Sequence, residues 1–193
     1  MRIICLFLFV IVTFGVQGQA PAQPSTPSRE EFVNETFKSM PYGSKELLKY
    51  YLLAGADTCR FEKFDYDEWV KYHLDEPVPL IALNELAYKA HMAREPYYWQ
   101  QDKLEKAICI SAKEADSLIA LPARQRLPVW SFSQPFFTGD GQYAVIDVNN
   151  IGKPGTGAGL TFLYRHKQGG GWRVVGAKQN WGLGEIKKSR STD

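Results

Sequence analysis

The chain has 193 residues, 45% of them hydrophobic and 13% aromatic, with 23 basic against 21 acidic side chains. That is enough apolar material for one ordered domain with a core of its own, and it excludes a disordered or low-complexity polypeptide. The near-balance of charge, with no long block of one sign, leaves no electrostatic case for nucleic acid or for an anionic membrane surface.

Met1-Arg2 is followed by the apolar run Ile3 to Val16 and then by Val16-Gln17-Gly18-Gln19. A short positive start, an apolar segment and small residues before a cut predict a secretory signal peptide over residues 1–18 and a mature chain starting near Gln19. The run is shorter than the roughly 20 residues a spanning helix needs. Cys5 lies inside it rather than directly after the cut, so no lipid attachment is expected. The reading is a secreted or periplasmic protein with no membrane span in its mature part.

Residues 19–27 form a linker of Pro, Gln, Ser and Thr, too polar to fold. A helical region is expected over 28–127. Ser28-Arg29-Glu30-Glu31 has the spacing of a capping box, with Phe32, Val33 and Phe37 on one face. Leu47, Leu48, Tyr51 and Leu52 repeat at helical spacing up to Gly55, and a further helix is expected from Asp65 to Leu74, carrying Trp69, Val70 and His73. Pro79 suits a first helical position, and Leu80, Leu83, Leu86, Ala87 and Ala90 make the clearest helical stripe. Trp99 to Ile108 reads as a shorter helix, and Ser111-Ala112-Lys113-Glu114 opens another with a second capping box. Pro122 and Pro128 close this half.

From Val129 the period changes from helical to alternating. Tyr143 to Asn149, Leu160 to His166 and Trp172 to Ala177 read as an antiparallel meander within residues 128–183, with Val129 to Phe132 as an edge strand and Gly169-Gly170-Gly171 as a tight hairpin. Residues 184–193 read as a tail. The expected fold is therefore α+β: an N-terminal helical half packed on a C-terminal antiparallel meander of three or four strands. Pairing His166 with Trp172 puts Leu160, Phe162, Tyr164, Trp172 and Val174 on the face that meets the helices, with Ala144, Ile146 and Val148. The other face carries Tyr143, Asp147, Arg165 and Arg173 among apolar neighbours, as a ligand surface would and as a solvated face with cross-strand ion pairs also would.

No segment carries a specific catalytic signature. The glycine-rich stretch Gly152 to Gly159 lacks the order of a phosphate loop and reads as a hairpin loop. His91 and Glu95 stand four apart on an expected helix, without a third metal ligand beside them. No nucleophile elbow is present, and His73, His91 and His166 lack a diagnostic neighbour. The carboxylate pairs Asp65/Asp67 and Asp75/Glu76 fit helix ends better than acid–base work. Asn34-Glu35-Thr36 is a glycosylation sequon only in a host that uses it. No cofactor and no metal are indicated. Cys59 and Cys109 either pair in an oxidising compartment or stand as two buried thiols.

The stretches Ser133-Gln134-Pro135, Tyr143-Ala144, the glycine loop and Trp172-Arg173-Val174 resemble a β-module of secreted bacterial proteins of unknown function. Val78-Pro79-Leu80 and Asn84-Glu85-Leu86 are similar to their helical part. That resemblance implies export and an α+β fold and supplies no catalytic residue. Helices followed by a curved sheet are also similar in architecture to the nuclear-transport-factor-2-like cone, which hosts enzymes and inert binding domains alike. The function expected is a non-catalytic binding module for a protein or envelope component, using Tyr143, Asp147, Arg165, Arg173 and the aromatic Trp181. The alternative is a small hydrolase with a pocket between helices and sheet.

Overall fold

A computed structural model describes residues 26–37, 49–59, 61, 69, 74–153 and 156–182. The expected signal peptide, most of the linker, the tail, Leu47 and Leu48 and most of the Asp65–Leu74 helix lie outside the described residues.

A mixed sheet of seven strands dominates. The strands are β1 (Tyr50–Leu53), β2 (Ala107–Ile110), β3 (Val129–Phe132), β4 (Phe136–Phe137), β5 (Tyr143–Ile151), β6 (Ala158–His166) and β7 (Trp172–Gly182). Their order is β2-β1-β3-β5-β6-β7, with β4 pairing β5 beyond the end of β3. Three α-helices stand among the described residues: α1 (Arg29–Thr36), α2 (Leu80–Met92) and α3 (Ala112–Ala120).

The expected helical half resting on a short meander is therefore wrong. Tyr50–Leu53 extends, with Tyr50 and Leu52 buried on one face and Tyr51 and Leu53 packed on the other. It runs parallel to both of its neighbours, β2 and β3. Partners distant in sequence outweigh a helical spacing of leucines that is only a turn or so long. The helix expected over Trp99 to Ile108 shrinks to one tight turn, Gln101–Lys103, ahead of β2. β3 is an interior strand between β1 and β5, not an edge.

Locally coded features are present. Ser28 Oγ accepts from Glu31 N at 3.2 Å while Ser28 N donates to Glu31 Oε2 at 2.8 Å. Ser111 and Glu114 repeat the arrangement at the head of α3. Gly169, Gly170 and Gly171 all have positive φ, which makes the β6–β7 hairpin a glycine turn, and His166 pairs with Trp172 across it.

Both faces of the sheet are covered, as the near-continuous burial along β5 and β6 requires. One face carries Ala144, Ile146, Val148, Leu160, Phe162 and Tyr164 against Phe32 and Val33 of α1, with Trp99, Trp130 and Phe132 in the same cluster. Phe32 meets Phe137, Tyr164 and Trp172 edge to face. The other face has two separate apolar ends. Val145, Leu163 and Val175 pack beneath Leu83 and Leu86 of α2, and Val129 packs with Ile110 beneath Ala115 of α3. Each fully buried leucine there contributes about 1.5–3 kcal/mol relative to exposure.

Polar contacts fix the helices in place. Asn34 clamps the 103–105 turn by donating to Lys103 O at 2.8 Å and accepting from Glu105 N at 3.0 Å, which commits the carboxamide of the sequon. Glu35 accepts from Trp172 N at 2.9 Å. On α2, Glu85 accepts from Gly139 N and from Lys89, and Lys89 also donates to Phe137 O.

Candidate functional site

The sheet face expected to meet a ligand is a second core. Tyr143 is 7% exposed and Asp147 1%. Tyr143 and Arg165 pair across β5 and β6, Arg165 and Arg173 across β6 and β7, so the structure brings these three together. Their charge is spent internally: Arg165 donates to Glu76 Oε1 at 3.0 Å, and Arg173 donates to Glu76 Oε2. The Glu76 hydrogen bond and charge hold the Arg165 guanidinium above its ordinary range. Glu76 thereby straps residues 74–78 onto the sheet, where Asp75 N donates to Val175 O at 2.8 Å and Leu74 bridges Gly176. Trp181 lies near the far end of β7, opposite Gly159, away from that trio.

Asp147 belongs to a polar strip between the two apolar ends of this face. Ser131 pairs with Asn149 and Asp147 with Thr161 in the ladder. Thr161 Oγ1 donates to Asp147 Oδ1 at 2.5 Å and accepts from Asn180 Nδ2 at 2.9 Å. Asp147 N donates to Ser133 Oγ at 2.9 Å. Asp57, entering beside Ser133 as an isolated parallel bridge, accepts from Ser131 Oγ and, at 3.0 Å, from Asn149 Nδ2. The Cys59 thiol donates to Asp147 Oδ1 at 3.8 Å. Burial, reinforced by the Asp147 charge, pushes that thiol far above its ordinary value, so it stays protonated at neutral pH and is no nucleophile.

Cys59 and Cys109 are both free. Cys59 packs with Phe61, Trp69 and Leu86 on the α2 side, whereas Cys109 packs with the cluster on the α1 side. The sheet separates the two sulfurs.

The polar strip opens at its Asp57–Cys59 end into a cleft between the C-terminal end of α2, the 93–97 loop and the break between β3 and β4. One lobe, of about 260 Å³, is bounded by Asp57, Thr58, Cys59 and Ala90, and a second, of about 470 Å³, by Arg29 and Met92. Arg94, Glu95, Tyr97, Gln134 and Phe136 line both lobes. Arg29 lies 4.4 Å above the centre of the Tyr97 ring, and the Tyr97 hydroxyl donates to Glu30 Oε1. Burial, with that hydrogen bond and the Glu30 charge, pushes the Tyr97 hydroxyl up to about 12. Tyr97 is a neutral wall throughout the physiological range.

Sequence reasoning missed this cleft because four distant segments supply it and none carries a motif. It also placed Glu95 on a helix with His91. α2 ends at Met92 and frees Glu95 for the cleft rim. Among the described residues, no three His, Cys, Asp or Glu side chains stand together as a metal cage requires. No helix among them is long and apolar enough to cross a membrane. Compared with family models, with curated proteins and with solved structures, the chain matches none.

Proposed function

We propose that this is a non-catalytic binding module acting outside the cytoplasm, and that its ligand seat is the cleft at the end of α2 rather than the open sheet face. The observation that carries the reading is a concave site whose side chains are not consumed by the fold. Arg94, Glu95 and Gln134 reach it without an internal hydrogen-bond partner among the described residues, and Phe136 and Ala90 supply an apolar floor. A few convergent polar groups over an apolar floor are what small-ligand sites share. The apolar run Ile3 to Val16 and the resemblance of the C-terminal module to exported bacterial proteins support the address.

The hydrolase reading is disfavoured by the same geometry. The nucleophile beside the cleft, Cys59, is held protonated, and its carboxylate neighbour is already bonded to Thr161. His166 packs edge-on against Trp172, 5.1 Å between ring centres.

Filling the cleft tests the proposal. Ala93→Trp places an indole at the loop that both lobes share, where Ala93 is half-buried at the margin of the α2-side core. A ligand found by thermal shift against a panel of amino acids, sugars and short peptides stabilises the parent and fails to stabilise Ala93→Trp, whose own melting point stays near the parent's. Equal stabilisation of the two proteins, or no response of the parent to any compound of the panel, overturns it.

A further inference from the structure

We infer that the cleft takes a zwitterion, a short peptide with both ends free, rather than a ligand of one charge sign; this rests on the cleft being the binding site. Its walls carry unspent charge of both signs. Arg29 and Arg94 face it with no carboxylate partner among the described residues. Arg29 is oriented by the face of Tyr97 before any ligand arrives. A guanidinium recognises a carboxylate through two parallel N–H donors, which makes these two arginines the seat for a C-terminus.

Acceptors supply the complementary end. Glu95 has no partner among the described residues, and the cleft opens where α2 finishes at Met92 and Ala93, so the last helical carbonyls turn their negative end towards it. Asp57 adds a carboxylate at the rim of the smaller lobe, with Oδ2 already bonded and Oδ1 open. An anion alone meets Glu95, Asp57 and the helix end; a cation alone meets two arginines. A molecule carrying both charges satisfies each set. Between them, Phe136 and Pro96 offer apolar contact for small side chains, and the Gln134 carboxamide offers one donor and one acceptor, the pair a peptide group needs.

The test compares trialanine, trialanine amide and N-acetyl-trialanine by isothermal titration calorimetry, with Ala93→Trp as the blocked control. Trialanine binds the parent, and amidation and acetylation each weaken it about tenfold, the scale of one charge-assisted hydrogen bond. Arg94→Gln no longer distinguishes trialanine from its amide, and Glu95→Gln no longer distinguishes it from the acetylated peptide. If the three peptides bind the parent equally and Ala93→Trp abolishes all three, the zwitterion falls and the cleft stands. The zwitterion also falls if none of the three binds while another compound does so in an Ala93→Trp-sensitive way. Discrimination that persists in Arg94→Gln overturns the assignment of the carboxylate end. If nothing binds at all, both readings fall.

Discussion

At the scale of single residues, the two faces of the sheet treat polar atoms in opposite ways. Asp147 is buried with the Thr161 hydroxyl and the Cys59 thiol donating to its carboxylate, while its backbone N–H donates to Ser133 Oγ, so its cost of desolvation is offset by hydrogen bonds. Tyr164 is buried in the aromatic cluster beneath α1, and its hydroxyl lies beside Thr36 without a well-formed hydrogen bond among the described residues, the Thr36 hydroxyl donating to Phe32 O. An unpaired buried hydroxyl destabilises the fold, whereas the ring that carries it fills the core. Tyr164→Phe keeps the ring and removes the oxygen, so urea unfolding of this variant shows a stability between unchanged and about 1 kcal/mol higher than the parent. A loss of more than about 1 kcal/mol shows that the hydroxyl has a bonding role in solution.

At the scale of elements, the capping boxes connect sequence to pH response. The Ser111 backbone N–H, then its hydroxyl, holds the Glu114 carboxyl below the ordinary glutamate range, and Ser28 does the same to Glu31. A carboxyl that ionises more easily in the folded chain contributes fully above its unfolded value. That contribution is lost as pH falls through the folded value. The parent therefore loses stability on the acid side, and Glu114→Gln, which keeps an acceptor for Ser111 N, shows a shallower loss between about pH 5 and pH 3 in urea midpoints. Equal acid slopes in the two proteins refute the coupling. These boxes were legible because three consecutive residues after the cap define them. The glycine hairpin and the alternation along β5 and β6 were legible for the same local reason. β1 and β2 were not, since four residues carry too few alternations to override a leucine spacing, and what makes them strands is each other and β3. The cleft was equally hidden, because Arg29, Arg94 and Gln134 become neighbours only after the sheet has formed.

At the scale of the whole molecule, the sheet is a partition with a core on each side. Cys59 and Cys109 stand on opposite sides of it, so the chain carries no covalent brace between them even in an oxidising compartment. A reducing agent leaves the melting point unchanged, and a thiol reagent labels Cys109 but not Cys59 until the protein unfolds; mass spectrometry of labelled peptides reads both outcomes. A melting point that drops on reduction identifies a bond between them. The parallel placement of β1 has a further consequence, for the order of events. Tyr50 must wait for Ala107, and Tyr51 for Val129, before either backbone edge is satisfied. A ribosome or a translocon delivering this chain from its N-terminus holds β1 as a lone ribbon until most of the polypeptide has emerged. Such high contact order places spontaneous refolding at roughly milliseconds to seconds, and it keeps the growing chain a pliable thread rather than a finished globule until its C-terminal half is present.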